Sequence, residues 1–331
     1  MDSASSAAIS PVPVTRAGIS RFARFAWWVV GYTLLVILFG AVVRITGSGA
    51  GCGQHWPSCN GQVLELPHTL KTAIEYSHRA TSELSGLAVL TLLIWGFRAH
   101  PAGQGVRSPA VVAALFIVIE ALVGRHLVRH GLVVNDASVS RAIVMPLHLV
   151  STSILMAALG LCAYRASVPR VPGARLPPRI FWLFACTAVC VLFVSATGAL
   201  TALGDTVYPV QTSGLSARLL EDQGTSAHFL QRLRLIHPLI ALLGAGLMLR
   251  LGTTAHRFAQ GGAARLLGPA LAGLVLMQVL AGVFNVLLSA PAHLQLLHLT
   301  LANLAWLALV LLFAAARDSG GRGEADQFTQ S

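Results

Sequence analysis

Eight separate stretches of this chain, each about twenty residues long and nearly free of charge, leave it one solvent to fold in. They cover roughly 26–46, 78–97, 109–128, 142–163, 180–201, 234–251, 267–289 and 295–315. An α-helix needs ~20 mostly apolar residues to cross a bilayer, so each stretch reads as one span. The composition agrees: 11% of the residues are charged and 55% hydrophobic, where a soluble domain carries about 25% charged residues. The expectation is an all-α integral membrane protein of eight transmembrane helices. The net charge of +11 could suggest a nucleic-acid partner. It does not here, because the basic residues sit in short loops between apolar runs and form no exposed stripe.

Lys and Arg concentrate in cytoplasmic loops. With the N-terminus inside, 14 of the 23 fall on the inner side and seven in outer loops, while Arg44 and Arg79 lie at outer helix edges. Both termini are then cytoplasmic. The first 25 residues are Ser/Ala/Pro-rich, with Arg16, Arg21 and Arg24 before the first apolar run. No small-residue cleavage site follows that run, so the first helix is expected to be retained. The loop 47–77 faces the oxidising side and carries Cys52 and Cys59. Disulfides persist there, and the pair reads either as a bridge or as two unpaired thiols. Cys162, Cys186 and Cys190 lie in apolar runs and read as small hydrophobes.

The two halves of the chain resemble each other. Helix 1 ends in Arg44-Ile45-Thr46-Gly47-Ser48-Gly49 and helix 5 in Ala196-Thr197-Gly198-Ala199-Leu200-Thr201. Helix 2 opens with Ile74-Glu75-Tyr76-Ser77-His78 and helix 6 with Leu233-Arg234-Leu235-Ile236-His237. Helix 4 has Pro146-Leu147-His148, and helix 8 has Leu296-Leu297-His298. Four helices per half make the repeat parallel, which gives no support to an inverted-repeat transporter. The expected architecture is two pseudo-symmetric four-helix bundles side by side. It divides the chain into an N-terminal segment (1–25), a first bundle (26–165), a cytoplasmic linker (166–179), a second bundle (180–315) and a cytoplasmic tail (316–331).

Four of the twelve histidines stand at matched positions: His78, His148, His237 and His298, each expected in the first turn or two of an even-numbered helix, near the outer face. One such histidine alone reads as a polar residue at headgroup depth; four in a repeated pattern read as ligands. Paired histidines from facing helices suit haem, whose iron takes an axial ligand on each face of the ring. Zinc would need a tighter His/Cys cluster. A di-iron carboxylate site would need a second Glu-x-x-His, and Arg234 stands where that glutamate belongs. His126 and His293, near the outer rim, are left open; the remaining histidines read as loop or helix-end residues. Arg44, Arg79, Arg125 and Arg234 are candidate partners for haem propionates, or snorkel to lipid phosphates.

The run Val43-Arg44-Ile45-Thr46-Gly47-Ser48-Gly49, then Cys52, Trp56-Pro57, Cys59-Asn60-Gly61-Gln62 and Ile74-Glu75-Tyr76-Ser77-His78-Arg79, resembles the haem A synthase family. The likeness covers about 25–315 and is most specific over 43–79. It implies an enzyme of the inner membrane that oxidises the C8 methyl group of haem O to a formyl group, giving haem A for cytochrome oxidase. It implies two pseudo-symmetric bundles with a haem b in the C-terminal half. Carried over by position, Glu75, His78 and His148 fall on the substrate side, His237 and His298 on the haem b side, and Cys52 and Cys59 on an outer-loop cysteine pair. Some members have a second cysteine pair between helices 5 and 6. The loop 202–233 has none, so stabilising that half is expected to fall to Pro209 and the loop's own packing.

On this reading His78 and His148 hold or flank the haem O iron. Glu75, one turn from His78, accepts a proton or stabilises charge at the methyl carbon; otherwise it is a helix-start acid. The haem held by His237 and His298 carries electrons to an acceptor. A haem O synthase is the expected donor of substrate, and a homo-oligomer is possible. The rival readings are a bis-histidine di-haem electron-transfer cytochrome and a proton-coupled transporter.

Overall fold

A computed structural model describes residues 19–64, 67–168, 170–171, 175–210, 215–258 and 262–328. Most of the 1–25 segment, four residues of the linker and the last three of the tail lie outside the described residues. The described chain is helical: α1 (Arg21–Ile45), α2 (Leu70–Ala99), α3 (Arg107–Arg129), α4 (Val139–Ser167), α5 (Pro178–Val207), α6 (Leu215–Gln223), α7 (Phe229–Leu233), α8 (Ile236–Phe258), α9 (Ala263–Leu287) and α10 (Ala292–Phe328). Eight candidate spans result, with α7 and α8 forming one of them. The protein is a multi-pass membrane protein.

The helices outrun the apolar stretches. α2 begins eight residues before the expected 78, capped by Thr69, whose hydroxyl accepts from Thr72 N at 3.1 Å. Ser20 and Ser138 cap α1 and α4 in the same way, each cap contributing about 1 kcal/mol. These first turns carry polar residues, so a hydropathy reading takes them for loop. His78 and His148 consequently lie in the third turns of α2 and α4, not at their openings. α5 runs on to Val207, and α10 continues through most of the stretch read as a tail. The short helices α6 and α7 are too polar and too brief to show in a hydropathy reading.

α1 packs on α2 and α4, and α3 closes against α2 and α4; in the second half α5 packs on α8, α8 on α9 and α9 on α10. α10 also meets α4 and α1, and α4 meets α5, so α4 and α10 form the seam between the halves. Leu155, Met156, Leu159, Leu309 and Leu312 are fully buried there. Trp306 Nε1 donates to Ser153 O at 2.7 Å. Arg165 Nη1 meets Asp318 Oδ2 at 2.6 Å, both side chains buried; a buried pair of this kind fixes register more surely than it adds stability. Gly160 of α4 has Leu307 of α10 where a Cβ would stand. The outward faces carry Leu87, Val118, Leu122, Val189, Phe193, Leu239 and Leu276, all exposed, as lipid contact demands.

Small residues bring α8 and α9 together, as in membrane helices generally. A Cβ on Gly268 would lie 2.7 Å from Gly252 O, whereas one on Gly273 would meet nothing within 4 Å. Gly268→Val should force the pair apart and cost roughly 1–3 kcal/mol, read as a lower melting temperature in detergent. Gly273→Ala should leave it unchanged.

Candidate functional site

Three of the four histidines, His78, His237 and His298, are set against a glycine of a neighbouring helix. A Cβ on Gly40 of α1 would lie 3.3 Å from His78 Cε1 of α2; on Gly198 of α5, 3.1 Å from His237 Cε1; on Gly282 of α9, 3.1 Å from His298 Cε1. Each ring thus occupies space that only glycine leaves open. His78 and His148 are near enough to interact electrostatically, as are His237 and His298. Thr197 Oγ1 lies 3.0 Å from His237 Nδ1, which leaves Nε2 for another partner. Gln278 Nε2 lies 3.1 Å from His298 Nε2. The buried Nδ1 atoms of His78 and His298 have no hydrogen-bond partner.

Gly40 stands toward His78 as Gly198 stands toward His237. Gly40 and Gly198 are 158 residues apart, as are Gly124 and Gly282. No heavy atom lies within 4 Å of a Cβ on Gly124. One turn earlier, Glu120 Oε2 stands 3.0 Å from His148 Nδ1. Sequence reading missed Glu120; its signal was the same 158-residue spacing to Gln278.

Glu75 is 3% exposed and held by the loop in front of α2. Cys52 and Cys59 form a disulfide, both buried. Thr72 Oγ1 donates to Gly51 O at 2.9 Å, and a Cβ on Gly51 would lie 2.5 Å from Lys71 O. The loop therefore lies directly on the first turn of α2. Cys52 N donates to Glu75 Oε2 at 2.8 Å. Arg79 Nε donates to Glu75 Oε1 at 3.1 Å and Nη2 to the same oxygen. Arg79 Nη1 donates to the carbonyls of His55 (2.6 Å) and Ser58 (2.8 Å). Carboxylate, guanidinium and disulfide loop form one unit beside His78. Peptide mass spectrometry of unreduced protein should find Cys52 and Cys59 linked. Replacing both with serine should loosen Glu75 and lower activity without unfolding the bundle; two alkylatable thiols in active wild-type protein would contradict this.

The arginines have distinct surroundings. Arg44 donates to Ala202 O (2.8 Å), Thr206 Oγ1 (2.5 Å) and Gln295 Oε1 (2.9 Å), tying α1 to α5 and α10. Arg234, in the tightened turn between α7 and α8, meets Asp205 (3.1 Å) and Asp222 (3.2 Å) and donates to the carbonyls of Gly204 (2.6 Å) and Tyr208. This network ties down the described part of the loop that lacks cysteines. Arg141, not singled out from sequence, donates to Val134 O and Asp136 O. Arg125 is exposed at the end of α3 and makes no hydrogen bond or ion pair among the described residues. His126 stacks on His130, ring centroids 4.2 Å apart, and both are exposed. His293 is exposed as well.

Could these residues hold haem? Two imidazoles on facing helices, with unpartnered ring nitrogens, are the donor set that an iron porphyrin takes, and the glycine opposite keeps a ring's edge clear. The donor set fits in both halves.

Fold and site together define a polytopic helical membrane protein with two pairs of histidines inside its spans. The family model for COX15-CtaA, cytochrome oxidase assembly protein, matches residues 23–310, and the chain belongs to that family. Proteins named protoheme IX farnesyltransferase from two strains of Thermus thermophilus are each 42% identical over 304 residues, covering 92% of this chain and 50% of theirs. The chain therefore spans about half the length of these relatives. A heme A synthase of Geobacillus kaustophilus is 44% identical over 101 residues, 29% of this chain and 32% of the relative. One from Bacillus licheniformis is 39% identical over 115 residues, 35% of each.

Proposed function

We propose that this chain is a haem A synthase, oxidising the C8 methyl group of haem O to a formyl group. The observation that carries the reading is the buried Glu75 held one turn from His78 by the disulfide loop and Arg79, beside a histidine pair suited to an iron porphyrin. Family membership and relatives named heme A synthase support it. The architecture is then two pseudo-symmetric bundles, 26–165 for substrate and 180–315 for haem b, joined by the linker 166–179. Both termini are cytoplasmic in the inner membrane, and the histidines lie toward the outer face.

His78 and His148 bind the haem O iron and orient the ring. Oxidation of a methyl to a formyl group adds oxygen and releases protons and electrons, and Glu75 is the base placed to take a proton or stabilise positive charge at that carbon. Cys52 N–H and Arg79 fix its carboxylate in one orientation, so no reorganisation is needed when charge develops. His237 and His298 would hold haem b, which when bound would supply one-electron transfer toward an acceptor. Arg125 is the candidate propionate partner that no group among the described residues already engages; Arg44, Arg79 and Arg234 could reach a propionate only by sharing their present bonds. Relatives twice as long and named farnesyltransferase suggest that a haem O synthase hands substrate to this chain.

The test is chromatography of haems extracted from cells expressing the chain. Haem A should appear only when haem O is also made. Protohaem alone would favour an electron-transfer cytochrome, and no haem at all a transporter.

A further inference from the structure

The first half holds a carboxylate for which the mechanism above has no use. Glu120 lies within the α3 span, where an ionisable side chain is costly and marks function. Its Oε2 stands 3.0 Å from His148 Nδ1. The contact is not aligned as a hydrogen bond, a looseness that closes when a catalytic group is loaded. The carboxylate is itself pinned. Thr152 Oγ1 lies 2.6 Å from Glu120 Oε2 and 2.7 Å from His148 O. Ser151 Oγ contacts Glu120 Oε1 and lies 2.9 Å from His148 O. Two hydroxyls one turn past His148 thus lock the acid to that histidine's own helix. The second half lacks all of this. Gln278, 158 residues after Glu120, brings a neutral amide to His298 at Nε2, leaving Nδ1 without a partner, and Leu301 and Ala302 stand where Ser151 and Thr152 would.

We propose that Glu120 is a positioning residue for His148: it accepts the Nδ1–H, turns Nε2 toward the iron of haem O, and makes that nitrogen a stronger donor than its counterpart on His298. The inference rests on the haem A synthase reading. Carboxylate partners of metal-bound histidines act in this way, fixing tautomer and ring orientation and raising ligand basicity. The consequence is directional. A more strongly donating ligand stabilises the ferric state, so the substrate-side iron has a lower potential than the haem b iron, and electrons released at the substrate run toward haem b.

The test uses the full chain, purified with its resident haem and loaded with haem O. Glu120→Gln keeps the shape of the side chain and removes its charge. It should raise the midpoint potential of the haem on the His148 side, shift its low-spin EPR g-values and weaken haem O binding or turnover roughly ten- to a hundred-fold. The haem b signals should stay as in wild type. Glu120→Asp should restore part of the first effect. An unchanged potential and g-values in Glu120→Gln with haem O bound would overturn the proposal. So would a lowered melting temperature with loss of both haems, which would make Glu120 structural. His148→Ala separates the two levels: if it too leaves the substrate-side signals unchanged, the ligand assignment itself fails, and the role of Glu120 with it.

Discussion

Glu75→Gln is expected to bind haem O, retain haem b and yet stall before haem A, with haem A falling about a hundred-fold or more in extracts and the hydroxylated intermediate accumulating. The amide keeps the shape of the side chain, and its one oxygen can accept from Cys52 N–H or from Arg79, which bond different oxygens of Glu75 at 2.8 and 3.1 Å; its NH2 group then faces the other donor. What it loses is the negative charge and the capacity to take a proton, worth about 10²–10⁴ in rate for a general base. The second half sharpens the argument. Three residues before His237 stands Arg234, bonded to Asp205 and Asp222, and a guanidinium takes no proton at ordinary pH. If the halves arose by duplication, the acid marks the half that does chemistry. Arg234→Gln should behave differently: it removes the guanidinium that meets Asp205 and Asp222, costs roughly 3–5 kcal/mol, and loosens the outer loop and haem b together. Haem A made by Glu75→Gln at the wild-type rate would return Glu75 to the role of a helix-start acid.

The eight spans were legible because bilayer thickness is written into the length of apolar runs. Their ends were not, because the first turns of α2 and α4 carry polar residues whose helicity depends on caps at Thr69 and Ser138. The four histidines stood out as polar residues in apolar surroundings, and the pairing of Cys52 with Cys59 came through the family resemblance. Side-chain destinations stayed hidden. Nothing in the run around Arg44 says that its guanidinium crosses to α5 and α10, since that depends on how the halves dock. Glu120 escaped for a related reason: no pattern in the sequence placed its carboxylate beside His148. Only the packing of the helices, as in the contacts of Gly40, Gly198 and Gly282 with the histidine rings, sets the register in which it stands there.

That register also decides what removing a ligand should do. His237→Ala and His298→Ala should each abolish or strongly loosen haem b, leaving purified protein with little or none of the low-spin haem spectrum of wild type. Each removes one of the two axial donors on which a bis-histidine haem depends. The glycines opposite, Gly198 and Gly282, have no side chain to fill the space. His148→Ala should instead keep haem b and its potential while haem A production collapses, because His148 packs with α3 through Glu120, in the half away from His237 and His298. Thr197→Val offers a finer grade. It removes the hydroxyl 3.0 Å from His237 Nδ1 while leaving the ligand in place, so haem b should remain bound with a shifted potential. The two classes of variant separate the halves by spectroscopy alone, before any turnover is measured. If His237→Ala kept the wild-type spectrum and potential, haem b would have to lie elsewhere. The direction of electron flow from the Glu75 side to the Arg234 side would then lose its basis.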